Sequence, residues 1–433
     1  MTARDAALAT IRFGLGPRPG ERAEAGRDPR GWLAAQIAAV PPVPEAVRAA
    51  APDAATALAI TFDQQRRQPE PNPVREAYRA SVGALTGFWA ATDSPFFERW
   101  AMFWANHLTV SRRSGNTGAL VADYYLAAIR PNVLARFETL LAEAIRHPAM
   151  LRYLDNANSI GPNSPAGQRR NRGLNENLAR EILELHTLSP AAGYSQGDVT
   201  SLARIITGWS TGTPGPSPFV FRANTHEPGE KPLLGRTFPE GEEGGRAALA
   251  FLANHPATFR FLAAKIARHF IADDPPKAAV EAIAARLAAT GGDLGSAARL
   301  LVGLEAAWAA PLSKLRTPAE LVIATCRALG DPLSGAQRLG AIGMLGQPLF
   351  TAPAPNGWPD TAAAWAAPEA TLRRIEWAGT IAARLPDPPD PRAVLDATLG
   401  PLADSATRSA VTGAESRREG LLVLLASPAF QRR

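Results

Sequence analysis

One cysteine, Cys326, stands among 433 residues. That excludes an intramolecular disulfide framework and any metal site built from several thiolates. It lies in the largely apolar run Leu321-Val-Ile-Ala-Thr-Cys326, so a buried, inert thiol is expected. Lysine is almost as scarce. Of 46 basic residues only Lys231, Lys265, Lys277 and Lys314 are lysines, leaving 42 arginines. The formal charge of +6 is scattered among 40 acids without a long block of one sign, which argues against the concentrated basic stripe of a nucleic-acid binder. The densest basic stretch, Arg169, Arg170 and Arg172, falls in a polar loop. No run of 18 apolar residues occurs, so no membrane-spanning helix is expected. The first ten residues mix acid with base and carry no long apolar stretch, unlike a Sec signal, and a cytoplasmic protein is the default expectation. Missing too are Gly-x-Ser-x-Gly, His-Glu-x-x-His and the kinase signatures. Gly14-Leu-Gly16-Pro-Arg-Pro-Gly20 lacks the Gly-Lys-Ser/Thr of a phosphate loop and holds two prolines, which excludes it as a nucleotide site.

What is present is a globule's balance, 46% apolar and 20% charged, with helical periodicity dominating. The pattern predicts an all-α fold of about fifteen helices (a count taken from caps and breakers). Ser94-Pro95 reads as an N-cap followed by an N1 proline, opening a helix toward Val110. Two more helices are expected over 119–130 and 132–146. A long one is expected over 174–188, and another begins at Ser195 with Asp198 completing a capping box. His147 and His255, each before proline, belong to caps. The Pro/Gly-dense stretch 210–245 interrupts the helices. Within it, 219–222 and 233–238 are expected to pair as one minor β-hairpin with 224–230 at its tip.

Chemistry-bearing side chains are few. On the 174–188 helix, Glu176, Asn177, Arg180, Glu181 and Glu184 share a broad polar face at 100° per residue. One reading is a solvated face laced by i,i+4 ion pairs. The sharper reading aims Glu181 and Glu184 into a cleft, with Asn177 and Arg180 orienting them, because carboxylates one turn apart can hold a divalent cation or divide acid and base roles. His107 sits on an aromatic helix face beside Asn106, as core or as ligand. His226 lies on the Pro/Gly-rich connector with Glu227, Glu230 and Lys231 close by, where functional groups concentrate. If these segments meet, His107, Glu181, Glu184 and His226 form a ligand set suited to zinc, iron or manganese. Trp209 and Trp358, each beside glycine, line a pocket or plug the core. His186 and His269, among apolar neighbours, read as core.

Several phrases together resemble the domain of unknown function 1800 family. They include Arg12-Phe-Gly-Leu-Gly-Pro17, Phe103-Trp-Ala-Asn106-His107 and Asn175-Glu-Asn-Leu-Ala-Arg180-Glu-Ile-Leu-Glu184-Leu-His186. Gly193-Tyr194, Thr207-Gly208-Trp209 and His226-Glu227 follow, then Asn356-Gly-Trp358-Pro359 and Ser427-Pro-Ala-Phe-Gln431. The matches run in order along nearly the whole chain, so the resemblance implies one family-length unit over 1–433, carrying 210–245 as an insertion. At Glu227 the family more often resembles aspartate; this chain's carboxylate is longer by one methylene. The resemblance implies no activity. It does imply a partner, since genes of the family are often neighbours of a second family similar to alkaline phosphatases and sulfatases. The leading expectation is a metal-dependent hydrolase or group transferase. In it Glu181, Glu184, His107 and His226 act as ligands or acid/base groups, while Arg180 and Lys231 hold an anionic substrate. Asn106, Asn177, Trp209 and Trp358 would contact that substrate. The alternative is a non-catalytic partner subunit for the phosphatase-like neighbour.

Overall fold

The computed structural model describes residues 2–115, 117–169, 173–212, 215, 217–309 and 311–433. Arg170 and Arg172 of the basic loop lie outside the described residues. The fold is all-α with minor antiparallel ribbons, as the periodicity predicts. No helix among the described residues is long and apolar enough to cross a membrane. One contiguous apolar core draws side chains from Ala7 to Phe430, including Trp100, Trp104, Phe96 and Phe137. Cys326 is fully buried in it.

The helices are shorter and more numerous than expected, because prolines at helix starts restart them repeatedly. Ser195 and Asp198 form the expected capping box. His147 and His255 cap as expected, each Nδ1 accepting from the backbone N–H two residues on. Ser94 corrects the expectation, since its side chain caps nothing. The free N–H of Phe96 donates instead to Gln36 Oε1 at 2.8 Å, a cap supplied from elsewhere in the chain.

Two further differences matter to function. The 174–188 segment is an α-helix only over Asn177–Glu181 and widens into a π-helix over Ile182–His186. Thr187 Oγ1 donates to Ile182 O at 2.6 Å, closing that wide turn. The 210–245 stretch holds two hairpins instead of one. Trp209–Thr211 pairs with Phe219–Phe221, and Lys231–Leu233 pairs with Arg236–Phe238. The second closes on Leu234 and Gly235, both at positive φ as a two-residue type I′ turn requires. Residues 224–230 therefore run between hairpins and are not a tip.

Candidate active site

A cavity of about 120 Å³ opens where the helix Pro95–His107 meets Pro318–Ala328 and the connector between Met344 and Ala362. Its wall is mainly apolar, with Met102, Phe103, Val110, Leu349 and Phe350, interrupted by Arg99, Asn106, His269, Glu320, Trp358 and Asp360. Helix Pro256–Phe270 brings His269 to this wall. The Phe270 ring packs 5.6 Å from Trp100, and the His269 ring lies 5.1 Å from Phe103.

His269 Nδ1 lies 2.8 Å from Asp360 Oδ2. The carboxyl of Asp360 is partly buried, which alone would raise its pKa; His269, Arg433 and Lys314 outweigh that and hold it well below the usual range. It is therefore a carboxylate, so Nδ1 carries the proton and donates. The opposite nitrogen, Nε2, is then a bare lone pair, and it is buried without any hydrogen-bond partner. Burial lowers the His269 pKa to about 4, against the opposing pull of Asp360. At neutral pH the ring is an uncharged base in fixed orientation.

A charged frame holds this pair. Arg433 donates from Nε to Glu320 Oε2 (2.9 Å), from Nη1 to His269 O (2.6 Å) and from Nη2 to Asp360 Oδ1 (3.3 Å). Lys314 Nζ donates to Asp360 O at 2.7 Å and Asp273 Oδ1 at 2.6 Å. Arg99 donates to Glu320 Oε1 at 2.8 Å and to Gly14 O, while its Nε has no partner. Glu320 also closes a capping box with Thr317. Its pKa falls to about 2, since Arg433 and Arg99 outweigh the raising effect of burial.

The chain matches the model of the family described as Protein of unknown function (DUF1800) over residues 8–432. It belongs to that family. No curated protein and no solved structure matches it. The family membership covers the helix of His269, the connector of Asp360 and every residue singled out from the sequence.

Those residues do not converge as the sharper reading required. Among the described residues no three His, Cys, Asp or Glu side chains are grouped to hold a metal ion. The four expected ligands are therefore not gathered into one group, and the two histidines are held by other bonds. His107 Nε2 lies 3.1 Å from His186 O inside the core. His226 donates from Nδ1 to Thr207 O at 2.7 Å, and its Nε2 accepts from Gly241 N–H at 2.9 Å and from Lys231 Nζ at 3.1 Å. Lys231 also donates to Glu227 O, and Glu227 accepts from Asn163. His226 and Lys231 thus lock the connector between hairpins. Glu181 and Glu184 are half-buried; burial, then Glu184, raises the Glu181 pKa, with Arg180 opposing. Arg180 pairs with Glu176 at 3.2 Å and reaches Gln196, so this face is braced to the helix Gln196–Ile205. Asn177 is exposed, and the Trp209 ring is buried in the core against Phe219.

Two expected residues do reach the cavity. Asn106 and Trp358 both line it, and Asn106 grips the Trp358 backbone with both amide atoms, Nδ2 to O at 2.9 Å and Oδ1 from N–H at 2.8 Å. Sequence reasoning missed His269 and Asp360. Asp360 directly follows the Asn356–Pro359 phrase, and that adjacency was the available signal. Near the site a second basic group stands unused. Lys265, one turn before His269, has its amine 5.4 Å from the Phe261 ring centroid, and burial lowers its pKa to about 8. Both ring nitrogens of His186 are buried without partners.

Proposed function

We propose that the chain is a hydrolase whose general base is His269, acting on a small acyl substrate in the 120 Å³ cavity. The observation that carries this reading is the His269–Asp360 pair, with Nδ1 bound and Nε2 bare at a largely apolar wall. A water beside Nε2 gives up a proton as its oxygen bonds to the acyl carbon. The imidazolium that forms is stabilised by Asp360 and returns that proton to the leaving oxygen as the acyl–oxygen bond breaks. Ester and water become acid and alcohol, and the ring is restored. Four cations, Arg99, Lys314, Arg316 and Arg433, surround three carboxylates, Asp273, Glu320 and Asp360, and the positive excess suits an oxyanion and an acidic product.

The test is acid release from short methyl esters such as methyl butyrate. Wild-type protein is expected to turn over, and His269→Asn and Asp360→Asn to lose about 10²- to 10⁴-fold in kcat, the usual span for a positioned base. Folded His269→Asn protein as active as wild type, or a wild type that releases no acid, overturns the reading.

A further inference from the structure

We infer that Trp358 is a specificity-determining residue whose indole N–H donates to a carboxyl oxygen of the ligand, with Arg99 Nε–H as a second donor, so that the cavity selects short-chain carboxylic acids and their esters. The inference rests on the hydrolase reading for the word ester, but binding of the acid stands without it.

Three residues that line the cavity each carry a buried nitrogen without a partner: His269 Nε2, Arg99 Nε and Trp358 Nε1. The first is a lone pair and the other two are N–H donors. Together they complement an acceptor oxygen beside a proton to be removed, which is the pattern of an acyl group and its water. Other indoles show what a satisfied one looks like here. Trp89 donates to Tyr125 Oη, Trp100 to Val133 O, Trp308 to Val302 O and Trp365 to Pro359 O. Trp104 and Trp209 also lack partners, but neither lines the cavity.

The position of Trp358 is also built. Its backbone is held at both N–H and C=O by Asn106. The preceding Gly357 has φ +80°, and a Cβ there would come within 2.4 Å of Asn106 O. The Trp365 ring sits 5.9 Å away. Asn106 is thereby a positioning residue; both of its amide atoms are spent on the backbone and it does not itself meet the ligand. The apolar remainder of the wall, Met102, Val110 and Leu349 among others, suits a short alkyl chain.

The probe is butyrate, with 1-butanol as the uncharged comparison, titrated into full-length protein carrying ¹⁵N-tryptophan. The indole resonance absent from Trp358→Phe belongs to Trp358. Butyrate is expected to shift it saturably and 1-butanol to leave it in place. Trp358→Phe, and Trp358→Tyr should phenylalanine not fold, are expected to bind butyrate at least about tenfold more weakly, the usual effect of losing one bond to a charged group. An unmoved resonance, or variants that bind as wild type does, overturns the inference. The titration reads no turnover, so butyrate binding by a protein that hydrolyses nothing refutes the hydrolase alone.

Discussion

At the scale of the residue, the pKa of His269 fixes how the proposed reaction responds to pH. Its base form exists above about 4, because burial disfavours the imidazolium. Rates of ester hydrolysis are therefore expected to hold level from pH 7 down to about 5 and to fall below about 4 (a single-proton limb). A limb near 6.5 in kcat/KM would mean that some other histidine is the base. Gly357 is under a backbone constraint of its own. Alanine there must adopt φ +80° and push its methyl into Asn106, whereas Gly343, inside the helix Gly335–Met344, has nothing within 4 Å of a new methyl. Gly357→Ala is expected to cost about 1–3 kcal/mol in urea unfolding. Gly343→Ala is expected to be neutral or to stabilise by up to about 1 kcal/mol. Equal midpoints for the two variants would show that the Asn106 clasp imposes no constraint.

At the scale of the element, what was legible in the sequence was what depends on near neighbours. Ser195 announces Asp198 three residues on, and His147 and His255 announce caps by preceding proline, because those bonds span two or three residues. The His269–Asp360 bond spans 91 residues, and Arg433 reaches back 164 to His269 O. Periodicity carries no information at that range, so His269, flanked by Phe261, Leu262, Ile266 and Phe270, looks like core. The hairpins were misread for a related reason. Strands of three residues have too little alternation to fix a register, and the decisive signal was the turn pair Leu234–Gly235. Once the register is right, His226 becomes a pin between hairpins, serving Thr207, Gly241 and Lys231. His226→Ala is thus expected to lower stability by about 2–4 kcal/mol, since it leaves Thr207 O, Gly241 N–H and the Lys231 amine short of partners. Hydrolysis by the folded variant is expected to match wild type. A variant of unaltered stability but lost activity would return His226 to the catalytic site.

At the scale of the whole molecule, His269, His186 and His107 couple folding to pH in one direction. Burial lowers the pKa of His269 to about 4 and that of His186, with help from Lys265, to about 3; His107 lies well below its usual value for the same reasons. Each ring is neutral in the fold and takes up a proton in the unfolded chain below about 6.5, so the unfolded state binds more protons and stability falls as pH drops through that window. Each contributes at most about 1.4 kcal/mol per pH unit. The lowered carboxylates act in the same sense further down. Asp360 and Glu320 favour the fold above their ordinary range near 4, and that contribution is lost as pH falls toward their folded values. The urea midpoint is therefore expected to fall steadily from pH 7 to 4. His186→Leu isolates one of these protons without touching the cavity, because His186 makes no side-chain hydrogen bond and does not line it. Its stability is expected to fall less steeply than wild type between pH 6.5 and 4.5, by about one proton's slope. Identical slopes would mean that His186 keeps its proton when folded, and that the two unpartnered nitrogens are not what makes this core sensitive to acid.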